Sequence, residues 1–182
     1  MKKFHKKSLV LLVCVALLLT FTVSGTVAFL ADNSGPVTNV FTPVEVDTKI
    51  VESVTAGSKS SIQVQNNPGD NHIPVYVRVA VSGYWVDDAG NIVAPWNEPI
   101  EIKDTWMLGP GGFYYYKSEL AVGVSTDNLL AKAISQPANK PAGADHLVVT
   151  VVHQAVQSQP ATAVQNAWGV TVNAADKTIS KP

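Results

Sequence analysis

The stretch "HIPVYVRVAVSGYW" alternates strictly, with Ile73, Val75, Val77, Val79 and Val81 on one side and Tyr76 and Arg78 on the other. A period of two marks a β-strand with one buried face, because successive side chains point to opposite faces of a pleated backbone. The same alternation runs through "VTNVFTPVEVDTKIVESV", "SSIQVQ", "PIEIKDTW", "GFYYYKS" and "DHLVVTVVHQAVQ". Valine dominates these runs, as a half-buried pleated surface favours. Turn formers separate them: "NNPGDN", "DDAGN", "LGPGG", "STDN" and "QPANKPAG". "WVDDAGNIV" reads as a hairpin. Only "TDNLLAKAI" and "ATAVQNAW" after Pro160 look helical, the latter with Thr162 as a cap, and neither is long enough to build a layer. Roughly six to nine short strands with almost no helix predict an all-β chain, a jelly-roll-like antiparallel β-sandwich with one or two short helices.

The first residues obey a different logic. Lys2, Lys3, Lys6 and Lys7 precede an aliphatic run from Leu9 to Leu19 broken only by Cys14. A basic start followed by a short apolar core is the pattern of an export signal, and the strictly apolar part falls short of the roughly 20 residues that span a bilayer. Thr26 and Ala28 place small residues three back and one back from a cut before Phe29. The competing cut before Asp32 would put bulky Phe29 where a small residue belongs. The expected organisation is therefore a signal peptide over 1–28, an extended segment over 29–42 and a sandwich domain over 43–182, with membrane attachment only before cleavage. Cys14 follows Val13 rather than the small residue that precedes a lipidated cysteine, and the end "AADKTISKP" carries no sortase-type motif.

Removal of the signal takes four lysines and the only cysteine with it. The remaining 154 residues carry nine basic against fourteen acidic residues, a net charge of −5, and can form no disulfide. An acidic chain without a basic block offers no footprint for nucleic acid. Its length suits one domain, since chains near 150 residues bury about 70% of their unfolded surface.

Five pieces in order, "GTVAFLAD", "VTNVFTPVEVDTKIVE", "IPVYVRVAV" with "YWVDDAGNIV", "GGFYYYKSELAVG", and "VVHQAVQ" with "AWGV", carry a likeness. The chain resembles the TasA/camelysin-like secreted proteins of Gram-positive bacteria, from about Lys2 to about Val170. The resemblance implies a jelly-roll fold, processing by a signal peptidase of the SipW type, and self-association into extracellular matrix or cell-surface fibres, with an accessory matrix protein as a further partner. It also implies that the segment after the cut acts as a donor strand for the next subunit. An extended segment with alternating apolar residues suits that role, because main-chain hydrogen bonds extend a neighbour's open edge while side chains fill its pockets. Val37, Val40, Phe41, Val44 and Val46 fit it. They fit equally the first strand of the chain's own sandwich, and the pattern leaves both open.

Catalytic patterns are sparse, although camelysin-type relatives are described as cell-surface metalloproteases. There is no H-E-x-x-H helix, and His72, His146 and His153 are separated singletons. The seven-residue spacing of His146 and His153 puts them on opposite faces of one strand, whereas catalytic zinc needs three ligands and an open position. No glycine elbow or phosphate loop appears. No cofactor is expected, and Asp87 and Asp88 read as turn chemistry rather than a calcium site. Trp85, Trp96, Trp106, Trp168 and Tyr114 to Tyr116 supply either core bulk or a stacking platform for cell-wall glycans. The resemblance implies packing, with Trp85, Trp106 and Trp168 inside.

Overall fold

The computed structural model describes residues 44–55 and 57–181. The valine-rich run at its centre forms β3 (Val75–Val86), twelve residues long, and the second such run forms β8 (His146–Gln157). They pair antiparallel along their whole length, from Val75 opposite Gln157 to Val86 opposite His146. The other side of β3 is shared. Its second half takes β4 (Ile92–Trp96), its first half takes β6 (Tyr114–Tyr116), and β6 in turn takes β5 (Trp106–Leu108). The β3–β4 connection is the hairpin expected from "WVDDAGNIV".

A second sheet is built on β2 (Ser58–Asn66), flanked by β1 (Thr48–Thr55) and β7 (Ile134–Ser135). The sequence reading of "TDNLLAKAI" as helical fails here, because the segment runs extended beside β2. Asn128 Oδ1 accepts the Ile62 N–H at 2.9 Å, Asn128 Nδ2 donates to the Ser60 carbonyl at 2.9 Å, and Thr126 Oγ1 accepts the Val64 N–H at 3.0 Å. Side chains that mimic backbone partners compete with a helix.

The odd-numbered residues of β3 point into the space between the sheets. Val75, Val77 and Val79 are buried there with Ile62 and Val64 of β2, Trp106, Leu120, Leu129, Leu130 and Ile134. The even-numbered Tyr76 points the other way and is equally buried. It joins Tyr115, Val164, Trp168, Val170 and Ile179 in a second core. That core lies under α1 (Ala161–Trp168) and the hairpin of β9 (Thr171–Asn173) and β10 (Thr178–Ser180). Tyr115 thus faces away from Tyr114 and Tyr116, as alternation requires, and Trp85, Trp106 and Trp168 are all buried.

Helix α1 starts from Pro160 without a side-chain cap, so Thr162 lies within its first turn rather than before it. Gly169 ends it with φ of 68°, a left-handed conformation, donating its N–H to Gln165 O at 2.8 Å. Arg78 also stands on this outer face. Its guanidinium lies 4.0 Å from the Phe113 ring centre and 4.9 Å from that of Trp168, and it donates to Gln154 Oε1 and Tyr115 Oη. Among the described residues, no helix is long and apolar enough to cross a membrane.

Candidate functional site

Backbone polarity in β8 follows from its two ends. Ser158 donates its N–H to the Pro74 carbonyl, and on the far side of β3 Val75 exchanges hydrogen bonds with Leu120. Even-numbered residues of β8 therefore turn their N–H and C=O toward β3, and odd-numbered residues turn theirs outward. Two of the outward groups are met by side chains. Leu147 donates to Gln136 Oε1 at 3.1 Å, and the Val149 carbonyl accepts from Lys59 Nζ at 3.2 Å. Beyond them, from Val151 through His153 to Ala155, no strand of the described residues pairs with this edge.

Among the described residues, no strand pairs with the outer edge of β1 either. Asn67 donates to the Asp47 carbonyl, which turns odd-numbered groups of β1 toward β2 and leaves those of Thr48, Ile50 and Glu52 outward. Two side chains bridge β1 and β2 to β8. His153 Nε2 lies 3.0 Å from Thr48 Oγ1 and 3.2 Å from the Thr48 carbonyl oxygen. The Lys59 ammonium, on a side chain only 10% exposed, spans from the Val149 carbonyl to both carboxylate oxygens of Glu52, at 2.9 and 3.0 Å.

Either side of Lys59 the described residues leave a groove between these elements. One groove is lined by Val54, Ile134, Leu147 and Val149, and the next by Ile50, Glu52, Val149 and Val151. Val54 is 61% exposed although it belongs to a strand of the sheet. The arrangement is thus an apolar trough along β8 and β1 with main-chain groups that no strand of the described residues pairs, plugged by one lysine and one histidine. An unpaired edge of this kind is a template for another strand.

Of the residues selected from sequence, Thr26, Ala28, Phe29, Val37, Val40 and Phe41 lie outside the described residues. Val44 and Val46 are 62% and 40% exposed and precede β1. Between them Glu45 makes a single parallel bridge to His72, donating its N–H to the Asn71 carbonyl at 2.9 Å. The plugging roles of Lys59 and His153 had no signal in the sequence.

His146 is exposed beside Asp145, His153 faces the trough, and His72 accompanies Asn67 and Glu45. Among the described residues, no three of His, Cys, Asp and Glu gather closely enough to hold a metal ion. Asp87 caps its hairpin turn, accepting from the Asn91 side chain and from the Asn91 and Ala89 N–H groups. These bonds, the side-chain one foremost, hold its carboxyl below the usual range.

No family model, no curated protein and no solved structure matches the chain.

Proposed function

We propose that this chain is a secreted, non-enzymatic structural subunit of extracellular matrix or cell-surface fibres. In this reading a signal peptidase of the SipW type releases it between Ala28 and Phe29, and the sheets form a jelly roll. Subunits then join head to tail, the segment 29–42 of one adding a strand to the next. The observation that carries the reading is the outward edge of β8 from Val151 to Ala155, which no strand among the described residues pairs, beside an apolar trough. Strand addition satisfies those main-chain groups, while alternating residues such as Val37 and Val40 supply the apolar filling that the trough lacks. Before the cut the donor segment is tethered to the membrane, so cleavage permits assembly.

The test is negative-stain microscopy of protein that begins at Phe29. Fibres are expected from it, and none from protein with a few residues added before Phe29. Val40→Asp and Phe41→Asp are expected to leave a folded monomer that does not extend chains. Polymerisation of both variants at the parent's rate overturns the reading.

A further inference from the structure

A second groove, of about 510 Å³, opens where residues 96–101 and 132–137 diverge beyond the antiparallel bridge of Ile102 and Leu130. Its aromatic wall is Trp96. In the β3–β4 register Trp96 stands directly opposite Gly83, and a Cβ on Gly83 would lie 2.5 Å from Trp96 Cε3. The indole therefore lies across bare backbone, a position available only because residue 83 has no side chain. Trp96 is half-buried, and its indole N–H is buried without an acceptor among the described residues. Ile100 and Ile134 complete the apolar lining, and Glu98, Glu101 and Gln136 supply the polar groups.

Three observations narrow the occupant. Pro99 and Pro137 stand on the two walls and lack an N–H, and β7 is only two residues long, so an added strand finds no ladder to extend. Two carboxylates face one ammonium, and that ammonium, Lys132, already lies 3.6 Å from Glu101. A phosphate, uronate or nucleic acid would meet the unbalanced charge of Glu98. The volume falls within the roughly 300–1,000 Å³ typical of small-ligand sites. A flat indole beside carboxylate and amide acceptors matches a molecule with an apolar ring face and a hydroxylated rim.

We propose that this groove binds a neutral or amino-substituted saccharide, a sugar ring stacking on Trp96 while its hydroxyl or ammonium hydrogens are donated to Glu98 and Gln136. The groove shares Ile134 and Gln136 with the trough beside Leu147 and Val149 but is not lined by Val151 to Ala155, and the proposal stands whether or not the chain forms fibres. Calorimetric titration of the secreted chain, with tryptophan fluorescence as a second readout, uses three probes. These are soluble oligomers of N-acetylglucosamine, of glucosamine and of galacturonate. Binding of the first two but not the third is expected. Trp96→Ala is expected to abolish it. Glu98→Gln, at an exposed position that leaves packing untouched, is expected to weaken the glucosamine oligomer about tenfold, the scale of one lost charge-assisted hydrogen bond. The proposal is overturned if either of the first two oligomers fails to bind, if the galacturonate oligomer binds as well as they do, or if Glu98→Gln binds the glucosamine oligomer as tightly as the parent does.

Discussion

Proline at two adjacent positions of β8 separates its paired edge from its open one. Val152 turns its N–H toward β3, where it stands opposite Ala80, and Val151 turns its N–H outward. Val152→Pro removes a ladder hydrogen bond worth about 1 kcal/mol net and leaves the Ala80 carbonyl unpaired, which adds about 1–3 kcal/mol. With the ring pressing on β3, the total is about 3 kcal/mol or more. Val151→Pro removes no ladder bond, since proline is tolerated on an edge whose N–H faces solvent. Its cost is the packing of Val151 against the inner core, about 1 kcal/mol. Side-chain burial alone predicts the reverse order, because Val152 is 53% exposed and Val151 is partly buried. Urea unfolding followed by tryptophan fluorescence reads both values. Val151→Pro is also expected to abolish fibre growth from a stable monomer. A Val151→Pro variant at least as destabilised as Val152→Pro refutes the assignment of the two edges.

Asn128→Ala removes the acceptor of the buried Ile62 N–H and two further bonds, to the Leu130 N–H and the Ser60 carbonyl. A loss of about 3 kcal/mol is expected in denaturant titration, and a loss below about 0.5 kcal/mol would contradict the role given to this side chain. Glu119, in the chain after β6, is paired with Lys177, the residue before β10. Burial works against its ionisation, but hydrogen bonds from Lys177, at 2.5 Å, and from Ser158 outweigh that and hold its pKa below the ordinary value. A carboxyl with a lowered folded pKa contributes stability above its unfolded pKa of about 4.3, and the contribution is lost as pH falls through the folded value. Glu119→Gln is therefore expected to cost about 1 kcal/mol at neutral pH, discounted for the exposed lysine, and the gap to the parent should close in unfolding curves below about pH 4. A gap that does not change with pH would rule the pairing out. Gly83→Ala is expected to displace Trp96 and cost about 1–3 kcal/mol, with a shift in tryptophan emission. An unchanged spectrum and midpoint would contradict the stacking.

Much of the fold was legible because burial imposes a period of two. Alternation in "HIPVYVRVAVSGYW" placed Val75, Val77 and Val79 inward, and it put Tyr76 on the opposite face, whose cover of α1 and β9–β10 no local pattern announces. "TDNLLAKAI" misled because Leu129, Leu130, Ala131, Lys132 and Ala133 are good helix formers, while Thr126 and Asn128 bind β2 across more than sixty residues of sequence. "PIEIKDTW" alternates like a strand, yet only Ile102 bridges before β5 begins at Trp106. Edge status is a property of neighbours. Nothing within "DHLVVTVVHQAVQ" distinguishes the strand's paired side from its unpaired one, and Lys59 reads as an ordinary surface charge until it is seen plugging the trough. The crowding of aromatics signalled either core or platform, and the structure divides them, burying Trp85, Trp106 and Trp168 and leaving Trp96 half-covered at the sandwich mouth.

Residue-resolved amide hydrogen exchange, on monomer and on assembled material, tests strand addition most directly. The outward N–H groups of Val151, His153 and Ala155 are expected to exchange rapidly in the monomer and to gain protection on assembly, while those of Val152 and Gln154 stay protected in both. Rapid exchange at the three odd positions in assembled fibres would contradict the account, as would protection of them already in the monomer.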